Sequence, residues 1–279
     1  MKIRYEGSDG SAVDLWRGNI RAVKIYGAMP VSDIASAENS FGDGGIFVGE
    51  RAAVRTLRLV VRLCGEQVSA RKKLCGIFRG DGILHFSDGD IQRKISCRHV
   101  KTEYGISNIS DRAEVTFLCA EPFFFDENAV TAAAGGIVCL WEFPWELPEA
   151  EEFEFSAVHE SHCAVIMNMG DVPCGFTAVI YADRDINGIK IEEPVSGKFI
   201  SVKMDILSGS RVYVDTRGGR KSVILYQTSE NIPLDITSAV EYGSEFFSLR
   251  RGMNRVYFYD SDGGSVSAEI SCRGLYGGI

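Results

Sequence analysis

Long apolar runs are missing from this 279-residue sequence, and so are the short motifs of several common enzyme classes. No stretch approaches the roughly 18 apolar residues that a membrane span needs. The alternating segment KIRYEG after Met1 contains no apolar signal region, which predicts synthesis in a reducing cytoplasm. A P-loop, a Gly-x-Ser-x-Gly elbow and a His-Glu-x-x-His motif are absent, so these signatures give no support to an enzyme.

Positive charge is in deficit, and cysteine pairs of the zinc-binding kind are missing. The formal net charge is −8, so we expect no attraction to nucleic acid or to an anionic membrane. Most cysteines lie in apolar segments, and none forms a Cys-x-x-Cys pair. The sequence therefore predicts free thiols that pack as small apolar groups, without a disulfide, a metal or another cofactor. The eight cysteines are Cys64, Cys75, Cys97, Cys119, Cys139, Cys163, Cys174 and Cys272.

Glycine is abundant, with 30 residues against 7 prolines, and this composition suits short strands joined by tight turns. Residues 53–65, AVRTLRLVVRLCG, alternate apolar and basic positions and predict a strand. Residues 113–126, AEVTFLCAEPFFFD, predict another. Residues 67–80 between them predict a helix that Ser69 caps and Gly80 ends.

The composition changes at residues 141–154, WEFPWELPEAEEFE, which hold two prolines and six glutamates. This segment predicts an acidic linker between an N-terminal β domain with one helix, residues 1–140, and a C-terminal β-sandwich, residues 155–279. Residues 32–49, rich in Gly, Ser and Asp, are predicted to form a mobile loop. The expected fold class is mainly β, with two sandwich-like domains and no βαβ alternation.

An Asn-x-Gly turn interrupts two apolar runs in the stretch AVIMNMGDVPCGFTAVIYA, residues 164–182. Such a turn is able to hold a ligand, or it is a plain corner between two strands. We favour the corner, with Gly170 at a positive φ and the Asn168 side chain bonded to local backbone. Asn168 and Gly170 are therefore candidate structural residues.

Clusters of residues suited to catalysis or metal binding give only weak signals in this sequence. His159, His162 and Cys163 are close along the chain, but an extended strand points the two histidines to opposite faces, which disfavours a metal site. The carboxylates of residues 141–154 lie on a segment too irregular for a glycosidase pair. Tyr257 and Tyr259 share one strand face, which more often belongs to a core than to a sugar platform. The sequence thus predicts no catalytic, metal or cofactor-binding residue.

The order of the segments resembles the distal tail proteins of siphoviruses, the siphovirus tail component family. Two features lie in the first half: the Arg-rich strand followed by the helix around RKKLCGIFRG, and the strand AEVTFLCAEPFFFD. Two lie in the second half: MNMGDVPCGFTAVIYA, and FFSLRRGMNRVYFYDSDGG with Leu249, Gly252 and Asn254 in the family's Leu-x-x-Gly-x-Asn pattern. The likeness runs loosely over the full length.

This resemblance implies a structural, non-enzymatic virion protein located at the tail tip and made in the host cytoplasm. Six copies would form a ring that joins the tail tube protein to the tail-tip hub or fibre protein and to receptor-binding or baseplate proteins. The second domain would be galectin-like or carbohydrate-module-like. DNA would pass through the ring without being bound, which suits an acidic protein.

Two other functions remain open from the sequence. A carbohydrate-binding sandwich that contacts the host cell wall is the main alternative, and a cell-wall hydrolase is the weaker one. For the ring, we predict that Arg55, Arg58 and Arg62 on the first strong strand contact acidic residues of the next copy, since Arg pairs well with carboxylates. The competing interpretation is that these arginines are a solvated strand face.

Overall fold

Two compact units make up the chain in the computed structural model, which describes residues 1–29, 32–38, 43, 45–104, 111–135, 137–139, 156–158, 162–227 and 232–279. The first unit contains Met1–Glu127 and Leu275–Ile279, and the second contains Asn128–Gly274. Strands dominate both, which confirms the mainly β fold. In the part of the chain that is described, no helix is long and apolar enough to cross a membrane.

The first unit is built on one antiparallel sheet of nine strands, with the main path β2-β1-β7-β8-β9-β6-β3. Alternate residues of these strands are buried, because each strand turns one side toward the core. The elements before residue 128 are β1 Lys2–Gly7, β2 Ala12–Asp14, β3 Ile20–Tyr26, β4 Ser32–Glu38, β5 Gly45–Ala52, β6 Arg55–Leu63, α1 Gln67–Ile77, β7 Asp81–Asp88, β8 Ile91–Tyr104, β9 Arg112–Cys119 and β10 Phe124–Asp126.

The predicted helix is present, but it begins differently. Its N-cap is Glu66, which makes no side-chain capping bond, so the assignment of Ser69 as the cap is wrong. Ser69 lies inside the first turn because the backbone turns helical already at Gln67. Leu74 and Phe78 of this segment are buried in the core of the first unit. Gly80, with φ 61°, follows the helix end and reverses the chain.

Residues 32–49 are not a loop throughout, because β4 and β5 pair in a two-stranded antiparallel sheet of their own. We call β4 and β5 the hairpin arm. The side chains of Ile34, Ile46, Phe47 and Val48 are all exposed on it. Alternation could not identify these strands, since neither side of the arm packs into the core.

Three aromatic rings meet at the centre of the first unit. Tyr5 lies 5.0 Å from Phe78 and 5.6 Å from Phe117, ring centroid to ring centroid. The Tyr5 side chain is fully buried, and this burial raises the pKa of its hydroxyl to about 12. Gly82 on the neighbouring strand β7 leaves room for it, because a Cβ there would lie 2.6 Å from the Tyr5 ring.

We expect Gly82→Ala to lower the free energy of unfolding by about 2 kcal/mol, since an added methyl overpacks a closed core. Gly76→Ala is the matched control, because Gly76 is exposed on α1 and its Cβ would meet nothing within 4 Å. The control should be neutral or stabilise by up to about 1 kcal/mol, since Ala favours helix. Denaturant unfolding of both variants measures the difference. Equal effects of both changes would contradict the packing argument.

The second unit holds a six-stranded sheet, β11-β22-β15-β18-β19-β20, and a four-stranded sheet, β14-β21-β16-β17. Alternating positions of both are buried, with Ile166, Phe176, Ile191 and Phe258 among them. These elements are β11 Val130–Ala134, β12 Ile137–Cys139, β13 Ser156–Val158, β14 Cys163–Asn168, β15 Phe176–Tyr181, β16 Ile186–Glu193, β17 Lys198–Ile206, β18 Arg211–Asp215, β19 Ser222–Tyr226, β20 Pro233–Asp235, a short 3-10 helix Thr237–Ala239, β21 Gly252–Asp260 and β22 Ser267–Cys272.

The last strand, β23 Leu275–Tyr276, belongs to the first unit, where it pairs with β10. Conversely, β11 pairs with β22 in the second unit. Both groupings differ from the predicted division, which placed β11 in the N-terminal domain and residues 275–279 in the C-terminal one. Pairing between strands far apart in sequence is the reason for the difference. The proposed acidic linker, residues 141–154, lies outside the described residues and stays a prediction.

Candidate functional site

The turn after β14 is closed by the Asn168 side chain, which is almost fully buried. Its amide donates to the backbone oxygens of Val172, at 3.0 Å, and Leu249, at 3.1 Å, while its oxygen accepts from the Gly170 amide at 2.9 Å. The left-handed conformation expected of Gly170 stays a prediction, while its amide is held by the Asn168 side chain. The Asn168 side chain therefore replaces backbone pairing in an Asx-type turn.

A second buried asparagine forms the facing half of this corner. Asn254 donates to the backbone oxygens of Arg250 and Gly252, both at 2.8 Å, and accepts from the Arg250 amide at 2.9 Å. Gly252 adopts a φ of 90°, a conformation that costs other residues energy. The two halves meet at Leu249, whose backbone pairs with Cys174 and also accepts from Asn168. We call Asn168, Leu249, Gly252 and Asn254 the asparagine corner.

Two thiols lie beside the asparagine corner. Cys174 and Cys272 are both buried, and the hydrogen bond between them together with burial raises the pKa of Cys174. The thiol form of Cys174 is therefore strongly favoured. Seven cysteines whose side chains the structure describes are free, and four of these are buried, namely Cys97, Cys119, Cys174 and Cys272.

Buried carboxylates in the second unit stabilise turns rather than face a cleft. Glu193 accepts from the amides of Val195 and Ser196 and lies 3.2 Å from the Arg250 guanidinium. Burial alone would raise its pKa, but the hydrogen bonds and Arg250 outweigh burial and lower it. A general acid near neutral pH needs the opposite shift. Glu193 is thus an ionised structural group.

The three arginines named from the sequence do not share one face. Arg55 is only 4% exposed, and its guanidinium donates to the backbone oxygens of Gly27, Ala28 and Gly277. Arg58 and Arg62 point to the exposed side, where they pair with Glu114 and Asp111 on or beside β9. Arg55 is therefore not available to a neighbouring copy, because the first unit's own carbonyls surround it.

The histidine-rich stretch is only partly described. His159 lies outside the described residues, while the His162 ring lies 5.1 Å from the Tyr259 ring. Tyr259 and Tyr257 stack at 6.1 Å on a half-exposed face of β21, so this tyrosine face is not the core that the sequence favoured. No group of three or more His, Cys, Asp or Glu residues is placed to share a metal ion within the described ranges.

Sequence reasoning missed two surfaces: the apolar hairpin arm and a basic cavity in the first unit. The three consecutive apolar residues of GIFVGERA were a signal for β5, although not for its exposure. The cavity depends on the register of strands β1, β7 and β8, and this register is not visible along the sequence.

The second unit, which holds the asparagine corner, contains the part of the chain that matches a known family. Residues 169–272 match the family model described as siphovirus-type tail component, C-terminal domain. The second unit therefore carries the C-terminal domain of that family, and the predicted resemblance to the siphovirus distal tail proteins is confirmed. The motif residues Asn168, Leu249, Gly252 and Asn254 are the ones that this corner uses.

Solved structures with the same fold come from phage tails. The crystal structure of SPP1 Dit, described as a paradigm of the hub adsorption apparatus in phages infecting Gram-positive bacteria, has a TM-score of 0.69 at 14% identity and covers 98% of each chain. A chain of the phage P2 baseplate in its activated conformation with Ca has a TM-score of 0.55 at 8% identity, over 100% of this chain and 99% of that one. A corresponding chain of the Sr-activated p2 baseplate has 0.55 at 9%, over 98% and 97%. No curated protein sequence matches significantly.

Proposed function

We propose that this chain is a structural, non-catalytic distal tail protein that forms a six-membered ring at the tip of a phage tail. The ring joins the tail tube to the tail-tip hub or fibres and to the receptor-binding apparatus. The tail-component domain at residues 169–272 and the whole-chain likeness to SPP1 Dit support a place in the virion tail. The hairpin arm is the observation that supports self-association.

The hairpin arm presents apolar side chains that the first unit leaves uncovered. Phe47 is 84% exposed, and Val48, Ile46 and Ile34 are exposed with it. Contiguous exposed apolar groups mark interaction surfaces in soluble proteins. A second copy of the chain is the partner that we propose, since a head-to-tail contact repeated by every copy closes a ring.

Arg58 and Arg62 are secondary residues of the proposed ring contact. Each already lies within ion-pair distance of a carboxylate of its own chain, Glu114 or Asp111. A neighbour's carboxylate would have to share the arginine, and exposed pairs contribute only about 0–1 kcal/mol. The arm, rather than the arginines, therefore carries the proposed contact.

Phe47→Glu is expected to weaken ring formation at least about ten-fold, because it places a charge in an apolar contact. Light scattering and negative-stain imaging across protein and salt concentration measure the assembly. Val195→Glu is the matched control, since Val195 is 70% exposed on a turn of the second unit. Arg58→Glu should weaken the ring less than Phe47→Glu does.

The outcomes separate the ring from its proposed contact. Wild-type protein that stays monomeric at millimolar concentration, and does not cap isolated tail tubes, would rule out the ring. Rings that form equally well in Phe47→Glu would rule out the arm. Unchanged circular dichroism and thermal unfolding should accompany every variant, because all three positions are solvent-exposed.

The tyrosine face supports one alternative, a carbohydrate-binding role of the second unit. Tyr257 and Tyr259 are half-exposed, and the ion pair of Lys190 and Glu192 lies on the adjacent strand β16. Aromatic rings beside hydrogen-bonding groups suit sugar recognition. Titration of the intact chain with cell-wall polysaccharide, with Tyr257→Ala as the comparison, tests this role. Saturable binding that the variant loses would favour it.

A further inference from the structure

A cavity of about 230 Å³ opens on one face of the first unit's sheet. Strand register sets its lining: Arg4 on β1 lies opposite His85 on β7, and His85 lies opposite Lys94 on β8. Three basic side chains thus cross three adjacent strands in one row. Lys2, two residues before Arg4, lines the same cavity. Arg4 and Lys94 carry like charges on either side of His85, and like charges repel, so this row needs compensation.

The compensation inside the chain is incomplete. Lys94 pairs with Glu127 at 2.7 Å, while Asp14, the acidic residue opposite Arg4, pairs with Arg17 at 2.6 Å. Neither Lys2 nor Arg4 has an ion pair with a described carboxylate, and the Lys2 ammonium lies instead over the Trp16 ring. The cavity is therefore a local excess of positive charge in a chain whose net charge is −8.

His85 provides a second, independent observation. Its Nε2 atom is buried and forms no hydrogen bond in the structure, and Glu6 Oε2 lies 3.3 Å from it. Burial and then the charge of Lys94 lower the pKa of His85. Glu6 opposes this lowering, Arg4 adds to it by a smaller amount, and Glu127 opposes it least. The imidazole that lines the cavity is consequently neutral at pH 7.

We propose that this cavity is an oxyanion site, which holds one carboxylate or phosphate group between Arg4, Lys2 and His85. Its volume suits a small anion or one acidic side chain and is below the size usual for sugar or nucleotide pockets. Arginine and lysine are the residues that bind such groups most often. A second copy of the chain, which has 38 acidic residues, is one source of the carboxylate. This source rests on the proposed ring, whereas the oxyanion site itself does not.

The pKa of His85, followed by imidazole NMR, tests the site in the intact chain. The titration is run in chloride, acetate and phosphate at equal ionic strength, so that general screening is held constant. A bound anion favours the imidazolium, so the His85 pKa should rise by about 0.5 or more in acetate or phosphate relative to chloride.

Arg4→Gln should abolish the difference between the anions. This change also removes a like charge, so the His85 pKa in chloride is expected to rise, and only the anion-dependent difference is diagnostic. Arg98→Gln is the control, because Arg98 is exposed on β8 and pairs with Asp81 outside the cavity. The control should keep the full difference. Equal pKa values in all three salts, or a difference that survives Arg4→Gln, would overturn the proposal.

The same experiment also tests the source of the anion. If a second copy supplies the carboxylate, the His85 pKa in chloride should rise with protein concentration as rings form, and Phe47→Glu should prevent that rise. If the pKa responds to added acetate or phosphate in monomeric Phe47→Glu as well, the site stands without the ring. An absence of both responses would overturn the oxyanion site, whatever the oligomeric state.

Discussion

Arg55→Ala is expected to lower the free energy of unfolding of the first unit by about 3 kcal/mol. The Arg55 guanidinium donates to three backbone oxygens and lies 4.8 Å from the Phe124 ring. Removing it leaves those carbonyls without a charged donor in a buried place. It also loosens the attachment of residues 275–279, because Gly277 is one of the acceptors.

Arg62→Ala is the control for this prediction, since Arg62 occupies the same strand on the opposite, exposed side. Its loss should cost no more than about 1 kcal/mol. Denaturant unfolding gives the free energies, and hydrogen exchange of peptides from β6 and β23 locates the loss in the first unit. Similar effects of the two changes would show that Arg55 does not hold the structure as described.

Asn168→Ala is expected to destabilise the second unit by about 2–4 kcal/mol, since it breaks three buried hydrogen bonds at once. The backbone oxygen of Leu249 and the amide of Gly170 would lose their side-chain partner without gaining solvent. Asn187→Ala on the exposed side of β16 is the matched control and should change little.

A double-mutant cycle with Asn254→Ala tests whether the asparagine corner is one cooperative element. The two side chains bond to neighbouring residues, Leu249 and Arg250, so their losses should not add. We expect the double variant to lose about 1 kcal/mol less than the sum of the single variants. Strict additivity would mean that the two turns are independent.

Strand positions were predictable wherever one face is buried. Alternation identified β6 and β9 because every second residue contacts the core. The same alternation places Arg55 on the buried side of β6, because it lies two residues before the buried Leu57. Arg58 and Arg62 lie at the intervening positions, on the exposed side. The sequence thus contained the signal that corrects the arginine prediction, and treating the three arginines as one face overlooked it.

Other features depend on contacts that sequence patterns do not report. The hairpin arm has no buried face, so alternation could not reveal that it is a hairpin. The basic cavity requires β1 and β7, about 80 residues apart, to pair in one register. The asparagine corner was partly predictable, because an Asn-x-Gly turn needs local bonding, whereas its partner Leu249 is 81 residues away.

The position of β23 sets an order of events during synthesis. The strand that pairs with β10 is translated only after residues 128–274, so the first unit stays incomplete until the second has been made. Domains usually fold one after another as the chain emerges, with the N-terminal one first. Here the last residues complete the first unit, and a chain interrupted before Leu275 lacks the carbonyl of Gly277 that Arg55 binds. The first unit is therefore complete only in a chain whose second unit has already been translated.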